Sequence, residues 1–311
     1  MRIAVIGSGS VGCFYGARLA RSGHDVHFLM RRDLEAVRRN GLTIRSCDGD
    51  FHIRAQAYGD SAEIGPADLV ICALKSTAMA DAEALIRPCV GPKTRILALM
   101  NGLGIEEQLA GWFEPERIFG GLAFVCINRG EPGVVHHMDY GRVAFGHLLD
   151  DRAQATQIAE LFAGAGFEVS VAPSLKQARW EKLMWNVPFN SLTVTAGGVT
   201  TDQILADEGL RMLAERLMRE VAAAGNADGC NIDTEAMVAR LMANTATMGA
   251  YRPSMLVDYQ NRMPCEVEAI LGEPSRRAER LGVPARSLDV QYRLTAFLDR
   301  LNRGVIPQNP K

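Results

Sequence analysis

Apolar runs alternate with amphipathic segments through the first half of the chain. Residues 10–21 carry apolar side chains at helical spacing and stop before Gly23, which predicts a helix. Two short apolar runs within residues 42–53 flank Asp48-Gly49 and predict a hairpin. Four further apolar runs predict strands: residues 2–6, 26–30, 69–74 and 95–100. Strands and helices in this order predict an α/β fold with a doubly wound Rossmann sheet.

The pattern becomes helical after Pro173-Ser174. Residues 117–171 are still strand-rich, whereas nothing beyond them alternates like a sheet. Helical spacing predicts five helices in this second half: 175–190, 202–224, 233–248, 254–272 and 285–302. Three polar residues are expected to act as N-caps: Ser174, Asp202 and Asp233. We therefore predict a Rossmann domain over residues 1–173 and an all-helical C-terminal domain over residues 174–311.

Composition excludes several classes of protein. Among 311 residues, 34 Lys and Arg stand against 36 Asp and Glu, so the chain lacks the basic excess typical of nucleic-acid binding. No apolar run approaches the ~18 residues that a membrane helix needs. The seven cysteines are scattered without a CxxC pair, which favours a reducing cytoplasm over a disulfide framework. No His, Cys and Asp cluster has ligand spacing, so we expect no metal.

A glycine-rich turn follows the first predicted strand. It comprises Gly7, Ser8, Gly9, Ser10, Val11 and Gly12, in the order Gly-x-Gly-x-x-Gly. Such glycines allow a tight turn and close approach of the backbone to a pyrophosphate, which then faces the N–H groups of the next helix. The turn therefore predicts a dinucleotide site, with a glycine turn that binds nothing as the alternative.

The tip of the second strand favours NADP(H). A NAD site usually places Asp or Glu about 20 residues beyond the glycines to bond the ribose 2′-hydroxyl. Here the strand runs into Arg31-Arg32, and a guanidinium suits a 2′-phosphate. NAD stays open, because Asp33 could still reach a ribose. Lys75 and Asn101 follow two further strands, at the sheet edge where ligands bind in such folds.

The second half carries a polar stripe in an apolar helix. Lys182, Asn186 and Asn190 are spaced four residues apart and lie on one face, with Pro188 expected to loosen the helix between the asparagines. Such a stripe is costly unless it lines a cavity or pairs internally. Because no histidine follows His147, a catalytic acid or base in this half must be a lysine, a carboxylate or a tyrosine. The alternative is a structural Lys182 paired with a core carboxylate.

A third group of polar residues lies further along the chain. Ser254, Asp258 and Glu266 recur at spacings that could share a helix face, although Pro264 stands among them. Spacing alone does not decide whether the carboxylates of Asp258 and Glu266 are catalytic or lie on the solvated surface.

Together these segments resemble the ketopantoate reductase (2-dehydropantoate 2-reductase) family over essentially the whole chain. The resemblance rests on the following features: GSGSVG, Arg31, Lys75, LMNG with Asn101-Gly102, RWEKLMWN with Asn190, and SMxxD with Glu266 downstream. It implies an N-terminal Rossmann domain, an all-helical C-terminal domain and reduction of a branched 2-oxo acid by NADPH to (R)-pantoate in pantothenate synthesis.

The resemblance also implies roles for individual residues. Lys182 resembles the family's general acid. The positions that resemble substrate-binding residues are Asn101, Asn186, Asn190 and Ser254. The positions that resemble cofactor-binding residues, besides the glycine turn, are Arg31, Lys75, Asn101, Cys126 and Glu266.

The chain departs from the family pattern on the substrate side. Thr200 stands where some members have an asparagine, Arg262 is shifted by one position, and Ser191 replaces the usual proline. The cofactor prediction is therefore firmer than the substrate prediction. Two alternatives stay open: a related NAD(P)-dependent dehydrogenase of another 2-oxo or hydroxy acid, and a non-catalytic NADP-sensing protein. Apolar positions in 288–298 permit a homodimer.

Overall fold

The fold is that of a computed structural model, and its structure is described for residues 1–306. The chain divides into two compact units, one of Met1–Met100 with Ile105–Leu175 and the other of Asn101–Gly104 with Lys176 onward. The short segment Asn101–Gly104 therefore packs with the helical unit, although it follows a strand of the first unit.

The first unit is a ten-stranded mixed sheet with helices. Its strands are β1 Arg2–Ile6, β2 Asp25–Leu29, β3 Leu42–Ser46, β4 Phe51–Ile53, β5 Gln56–Tyr58, β6 Ala67–Cys72, β7 Val90–Ala98, β8 Ile118–Arg129, β9 Val134–His147 and β10 Val169–Val171. Its helices are α1 Ser10–Arg21, α2 Leu34–Asn40, α3 Ser61–Ile64, α4 Met79–Ile86, α5 Ile105–Ala110 and α6 Arg152–Gly164.

The sheet has the strand order β4-β3-β9-β8-β7-β6-β1-β2-β5, with β10 paired to β9. The central strands β7, β6, β1 and β2 run parallel, while β8 and β9 form an antiparallel hairpin. The carboxyl ends of the four parallel strands β7, β6, β1 and β2 therefore share one edge of the sheet, where Rossmann folds bind their ligands. The core of this unit is apolar and includes Ile3, Phe14, Phe28 and Phe162, all fully buried.

The second unit is helical over residues 176–306. Its α-helices are α7 Leu175–Thr195, α8 Thr201–Ala206, α9 Glu208–Ala227, α10 Thr234–Ala246, α11 Ser254–Gln260, α12 Glu273–Arg280 and α13 Arg286–Asn302. A π-helical turn, Glu268–Gly272, directly precedes α12. Trp180, Met184 and Phe189 of α7 are fully buried in a separate core with residues of α9.

The predicted fold class is confirmed, while several element boundaries differ. The stretch 202–224 is two helices that break at Asp207, and 254–272 contains α11, a loop and the π-helical turn. The helices α2 to α6 and α12 were not individually predicted. Asp233 is an N-cap as expected, but Asp202 is not, because Thr200 caps α8. The helix α7 continues through Pro188 to Thr195 rather than ending near 190.

Candidate active site

The glycine turn has the geometry of a nucleotide-binding loop. Gly7 has φ +99°, and a Cβ there would lie 2.5 Å from the Leu74 nitrogen. A Cβ on Gly12 would lie 2.3 Å from the Gly7 carbonyl oxygen, so neither position admits a side chain. Ser8 Oγ donates to the Leu29 carbonyl at 2.8 Å, which fixes the turn against the end of β2.

The first turn of α1 is open to an anion. Gly9 is its N-cap, has no side chain to cap the helix, and a Cβ there would meet nothing within 4 Å. The backbone N–H groups at the start of a helix lack intrahelical partners and carry the positive end of the helix dipole. Ser10 and Val11 begin this helix, so the loop and helix start fit a dinucleotide pyrophosphate.

The other predicted cofactor residues of the first unit lie in three separate parts of the sheet, two of them in loops that follow strands. Arg31 is exposed just beyond β2, and Lys75 is exposed just beyond β6. Cys126 is buried on β8. Since β6, β1 and β2 are adjacent, the structure brings Lys75, the glycine turn and Arg31 to one edge of the sheet. Their contact with a cofactor stays a prediction.

In the second unit, the polar face of α7 holds a half-buried lysine. Lys182 Nζ donates to Asn101 Oδ1 at 2.8 Å. The next two residues, Leu183 and Met184, are buried, so the lysine is followed on the helix by apolar side chains of the core. This contact joins the lysine to the segment Asn101–Gly104. The family resemblance had named Lys182 and Asn101 as separate site residues, without a contact between them.

Burial lowers the pKa of Lys182 from 10.5 to about 7. Desolvation is the largest cause, and the positive charge of Arg179 lowers the pKa further. The carboxyl of Glu266 raises it, and both Arg179 and Glu266 are themselves buried. A lysine with a pKa near neutrality can donate a proton and recover it at physiological pH, which an ordinary lysine does poorly.

Arg179 was missed as a site residue. It lies three positions before Lys182 on α7, a spacing that places both on the same side of the helix. That spacing was the available signal in the sequence.

The two asparagines on α7 are buried, and one of them holds the next helix. Asn186 and Asn190 are 6% and 2% exposed. Asn190 Oδ1 accepts a hydrogen bond from the Met255 backbone N–H at 3.1 Å, which ties α7 to the first turn of α11. Ser254, the first residue of α11, is exposed beside this contact. The structure thus places Ser254 next to Asn190, and their contact with substrate stays a prediction.

A glycine holds the Asn101 segment against the π-helical turn. Gly102 has φ +101°, and a Cβ there would lie 2.4 Å from the Ala269 Cβ. The Leu103 N–H donates to the Ala269 carbonyl at 2.9 Å. Single π-helical turns are frequent at functional sites, and this one holds the backbone directly after Asn101, the residue that accepts from Lys182.

The positions that depart from the family pattern have local structural roles. The Thr200 side chain contacts Asp202 and Gln203, and Gln203 Oε1 accepts from the Thr200 N–H at 2.9 Å, which forms a capping box. Arg262 has φ +54° at the end of α11 and lines a cavity of about 510 Å³ with Tyr259 and Gly198.

One group of potential metal ligands occurs in the described part of the chain, at Cys47, Asp48 and His137. Both ring nitrogens of His137 already have partners, since Nδ1 lies 2.8 Å from Ser46 Oγ and Nε2 lies 2.9 Å from the Tyr140 carbonyl oxygen. We assign no function to this group. No helix within residues 1–306 is long and apolar enough to cross a membrane.

A Rossmann-type nucleotide loop and a helical unit with a half-buried lysine of lowered pKa define the class of NAD(P)-dependent oxidoreductases. The chain belongs to the ketopantoate reductase PanE/ApbA family. The family model matches residues 3–150, and the model of the family's C-terminal part matches residues 174–299.

Individual relatives extend this similarity over the whole chain. A 2-dehydropantoate 2-reductase of Nostoc sp. is 38% identical over 97% of this chain and 96% of its own. The crystal structure of 2-dehydropantoate 2-reductase from Geobacter metallireducens has a TM-score of 0.93 at 43% identity, over 96% of this chain and 99% of its own. A D-mandelate dehydrogenase, solved with NADH and anilino(oxo)acetate, has a TM-score of 0.90 at 21% identity, over 97% of this chain and 99% of its own, which shows a shared fold alone.

Proposed function

We propose that this protein reduces 2-dehydropantoate (ketopantoate) to (R)-pantoate with NADPH, a step of pantothenate biosynthesis. The observation that carries the proposal is the half-buried Lys182, bonded to Asn101 at 2.8 Å and with a pKa of about 7. The full-length similarity to named 2-dehydropantoate 2-reductases supports this substrate over another 2-oxo acid. The D-mandelate dehydrogenase shows that the fold by itself does not select the substrate.

The cofactor belongs to the first unit in this proposal. The glycine turn, the open start of α1 and the exposed Arg31 fit a dinucleotide that carries a 2′-phosphate. Lys75, Cys126 and, from the second unit, Glu266 are proposed as further contacts. When bound, NADPH supplies the hydride. NADP(H) is preferred over NAD(H) because the strand tip after β2 presents two guanidinium groups and its one carboxylate is already paired.

The chemistry of proton transfer belongs to the helical unit. Lys182 as an ammonium polarises the ketone and donates its proton to the oxygen on which alkoxide character develops. Asn101 holds the Lys182 ammonium in one rotamer through its Oδ1 acceptor. Asn186, Asn190 and Ser254 offer neutral hydrogen-bonding groups that orient the carboxylate and hydroxyl groups of the substrate. Residues 1–173 are thus proposed as the cofactor domain and residues 174–311 as the substrate and catalytic domain.

The direct test is loss of NADPH absorbance with purified protein and a panel of 2-oxo acids, ketopantoate first, run beside NADH. We expect the highest kcat/KM with ketopantoate and NADPH. Turnover of only another 2-oxo acid would overturn the substrate but keep the chemistry. Tight NADPH binding without turnover of any member would favour a non-catalytic sensor.

The role of Lys182 is tested by Lys182→Ala, which should lower kcat by about 10²- to 10⁴-fold. Lys176→Ala is the matched control, because Lys176 is an exposed lysine at the start of the same helix and bonds the Asp228 carbonyl. A near-normal kcat in Lys182→Ala would refute the assignment.

A homodimer and a cytoplasmic location are further predictions. Val290, Leu294 and Phe297 are exposed on one face of α13, whereas Leu288 is buried in the core. Light scattering of the purified protein beside Leu294→Asp tests whether this face mediates association. All seven cysteines are free thiols, as expected in a reducing compartment.

A further inference from the structure

An ion pair between a buried aspartate, Asp33, and an exposed arginine, Arg129, lies beside the nucleotide loop. The Asp33 carboxylate is 8% exposed, and one of its oxygens accepts from Arg129 Nε at 3.1 Å and from Arg129 Nη2 at 3.0 Å. These residues are 96 positions apart, at the N-terminus of α2 and at the end of β8. The pair is therefore a tertiary contact and not a local consequence of one helix or turn.

The same guanidinium reaches the glycine turn itself. Arg129 Nη2 lies 3.3 Å from the Ser8 carbonyl oxygen, which also accepts from the Cys13 thiol at 3.3 Å. Ser8 belongs to the nucleotide loop, and Cys13 lies in the first turns of α1. Arg129 is thus next to the loop on one side and to Asp33 on the other.

Asp33 occupies the chain position at which a carboxylate selects the ribose of NAD. It follows Gly12 by 21 residues, close to the ~20 expected for a carboxylate that bonds the ribose 2′-hydroxyl. An aspartate at an N-cap normally accepts from the first N–H groups of its helix. The Asp33 side chain makes no such cap bond to α2 and instead bonds Arg129.

We propose that Arg129 is a specificity-determining residue for the nucleotide, because its ion pair with Asp33 withdraws the only carboxylate at the tip of β2 from the adenosine ribose. With the pair formed, the 2′ position of the adenosine ribose would lie beside the guanidinium groups of Arg31 and Arg32. The Asp33 carboxylate is neutralised by Arg129. A 2′-phosphate is attracted to this tip. Without Arg129, Asp33 repels the 2′-phosphate and becomes available to accept a ribose hydroxyl.

This inference rests on the proposed NADPH dependence, and binding measurements separate the two. Calorimetry with NADP⁺ and with NAD⁺ gives the ratio of their dissociation constants, which cancels any effect of the Ser8 contact that both nucleotides share. We expect the wild-type protein to prefer NADP⁺. In Arg129→Ala the preference should fall by about tenfold, the size expected for one unpaired like charge near a partly solvated phosphate.

Three variants keep the test specific. Arg129→Ala combined with Asp33→Asn should recover most of the preference, since the repelling charge is gone, and Arg129→Lys should keep most of it. Arg45→Ala removes one exposed arginine of the same unit, which pairs with Asp50 at 2.7 Å, and should leave the ratio unchanged. Thermal unfolding of each variant shows whether the fold persists.

The outcomes are distinct. A wild-type protein that binds both nucleotides equally would overturn the NADPH assignment and this inference together. A wild-type preference for NADP⁺ that Arg129→Ala leaves intact would overturn the inference alone. Loss of preference in Arg129→Ala that Asp33→Asn does not restore would also overturn it, because the effect would then not run through the carboxylate.

Discussion

The protonated form of Lys182 should destabilise the folded protein, and Lys182→Met measures by how much. Desolvation and Arg179 lower the pKa of this lysine from 10.5 to about 7. Because a tenfold change in a protonation equilibrium is about 1.4 kcal/mol, the charged lysine costs the folded state about 5 kcal/mol. Methionine retains an unbranched apolar stem of similar length and carries no charge.

The cost changes with pH in a defined direction. Below the folded-state pKa of about 7, the lysine is charged in both folded and unfolded states and the full cost is present. Between about 7 and 10.5 the unfolded state binds more protons than the folded state, so stability rises with pH and the cost declines. Between about pH 6.5 and about pH 9.5 the advantage of Lys182→Met over wild type should shrink by about 3 kcal/mol.

Thermal unfolding of both proteins at these two pH values provides the assay. At about 2 °C per kcal/mol for a chain of this size, the difference in Tm should change by about 6 °C. Lys176→Met is the matched control, because this exposed lysine of α7 should give the same change in Tm at both pH values. A Tm difference for Lys182→Met that does not depend on pH would refute a desolvated lysine.

Three further substitutions, with a control for one of them, have defined outcomes. Arg31→Ala should raise the KM for NADPH about tenfold and leave that for NADH unchanged, since only the former carries a 2′-phosphate; equal changes would contradict the assignment. Gly102→Ala should lower kcat at least about tenfold, because the added Cβ displaces the Asn101 segment. Gly197→Ala is its control: Gly197 has φ +96° and open space at its Cβ, so this substitution should lower stability and leave kcat unchanged. Asn190→Ala should destabilise the protein by about 1–3 kcal/mol, measured by urea unfolding, because the Met255 N–H loses its partner; an unchanged midpoint would argue against that contact.

The fold could be predicted because its strongest signals are local. Near-continuous apolar strands, the glycine turn and helical periodicity each depend on residues close in the chain. The helix α6 was missed because the strand-rich pattern on both sides hid it, although Asp151 accepts from the Gln154 N–H at its N-cap. The break at Asp207 between α8 and α9 depends on an aspartate that both ends one helix and caps the next, which a continuous periodic pattern conceals.

The candidate site was predictable to a smaller extent. The stripe of Lys182, Asn186 and Asn190 follows from helical spacing, because α7 is continuous. The contact of Lys182 with Asn101 spans 81 residues, and the Arg129–Asp33 pair spans 96. No periodicity relates such distant positions, so only the tertiary fold reveals them. The magnitude of the lysine's desolvation likewise depends on how the surrounding helices pack.

The burial that lowers the stability of the folded protein also makes Lys182 a competent acid near neutral pH. The pH profiles of ketopantoate reduction and of pantoate oxidation should therefore run in opposite directions. Reduction needs the ammonium form, and kcat/KM for ketopantoate should therefore be level below about pH 7 and fall about tenfold for each further pH unit. Oxidation of pantoate needs the neutral amine as base, and its rate should rise through the same pKa. As the pH rises above about 7 the folded protein also becomes more stable, because the desolvated lysine loses its charge.

A shared apparent pKa in the kcat/KM profile and in the stability difference would assign both effects to one group. If kcat/KM stays level from about pH 6 to about pH 9 while the stability difference of Lys182→Met still changes, the lysine is desolvated but the proton comes from elsewhere. The two readouts therefore separate a lysine that is merely buried from one that transfers the proton, which neither readout achieves alone.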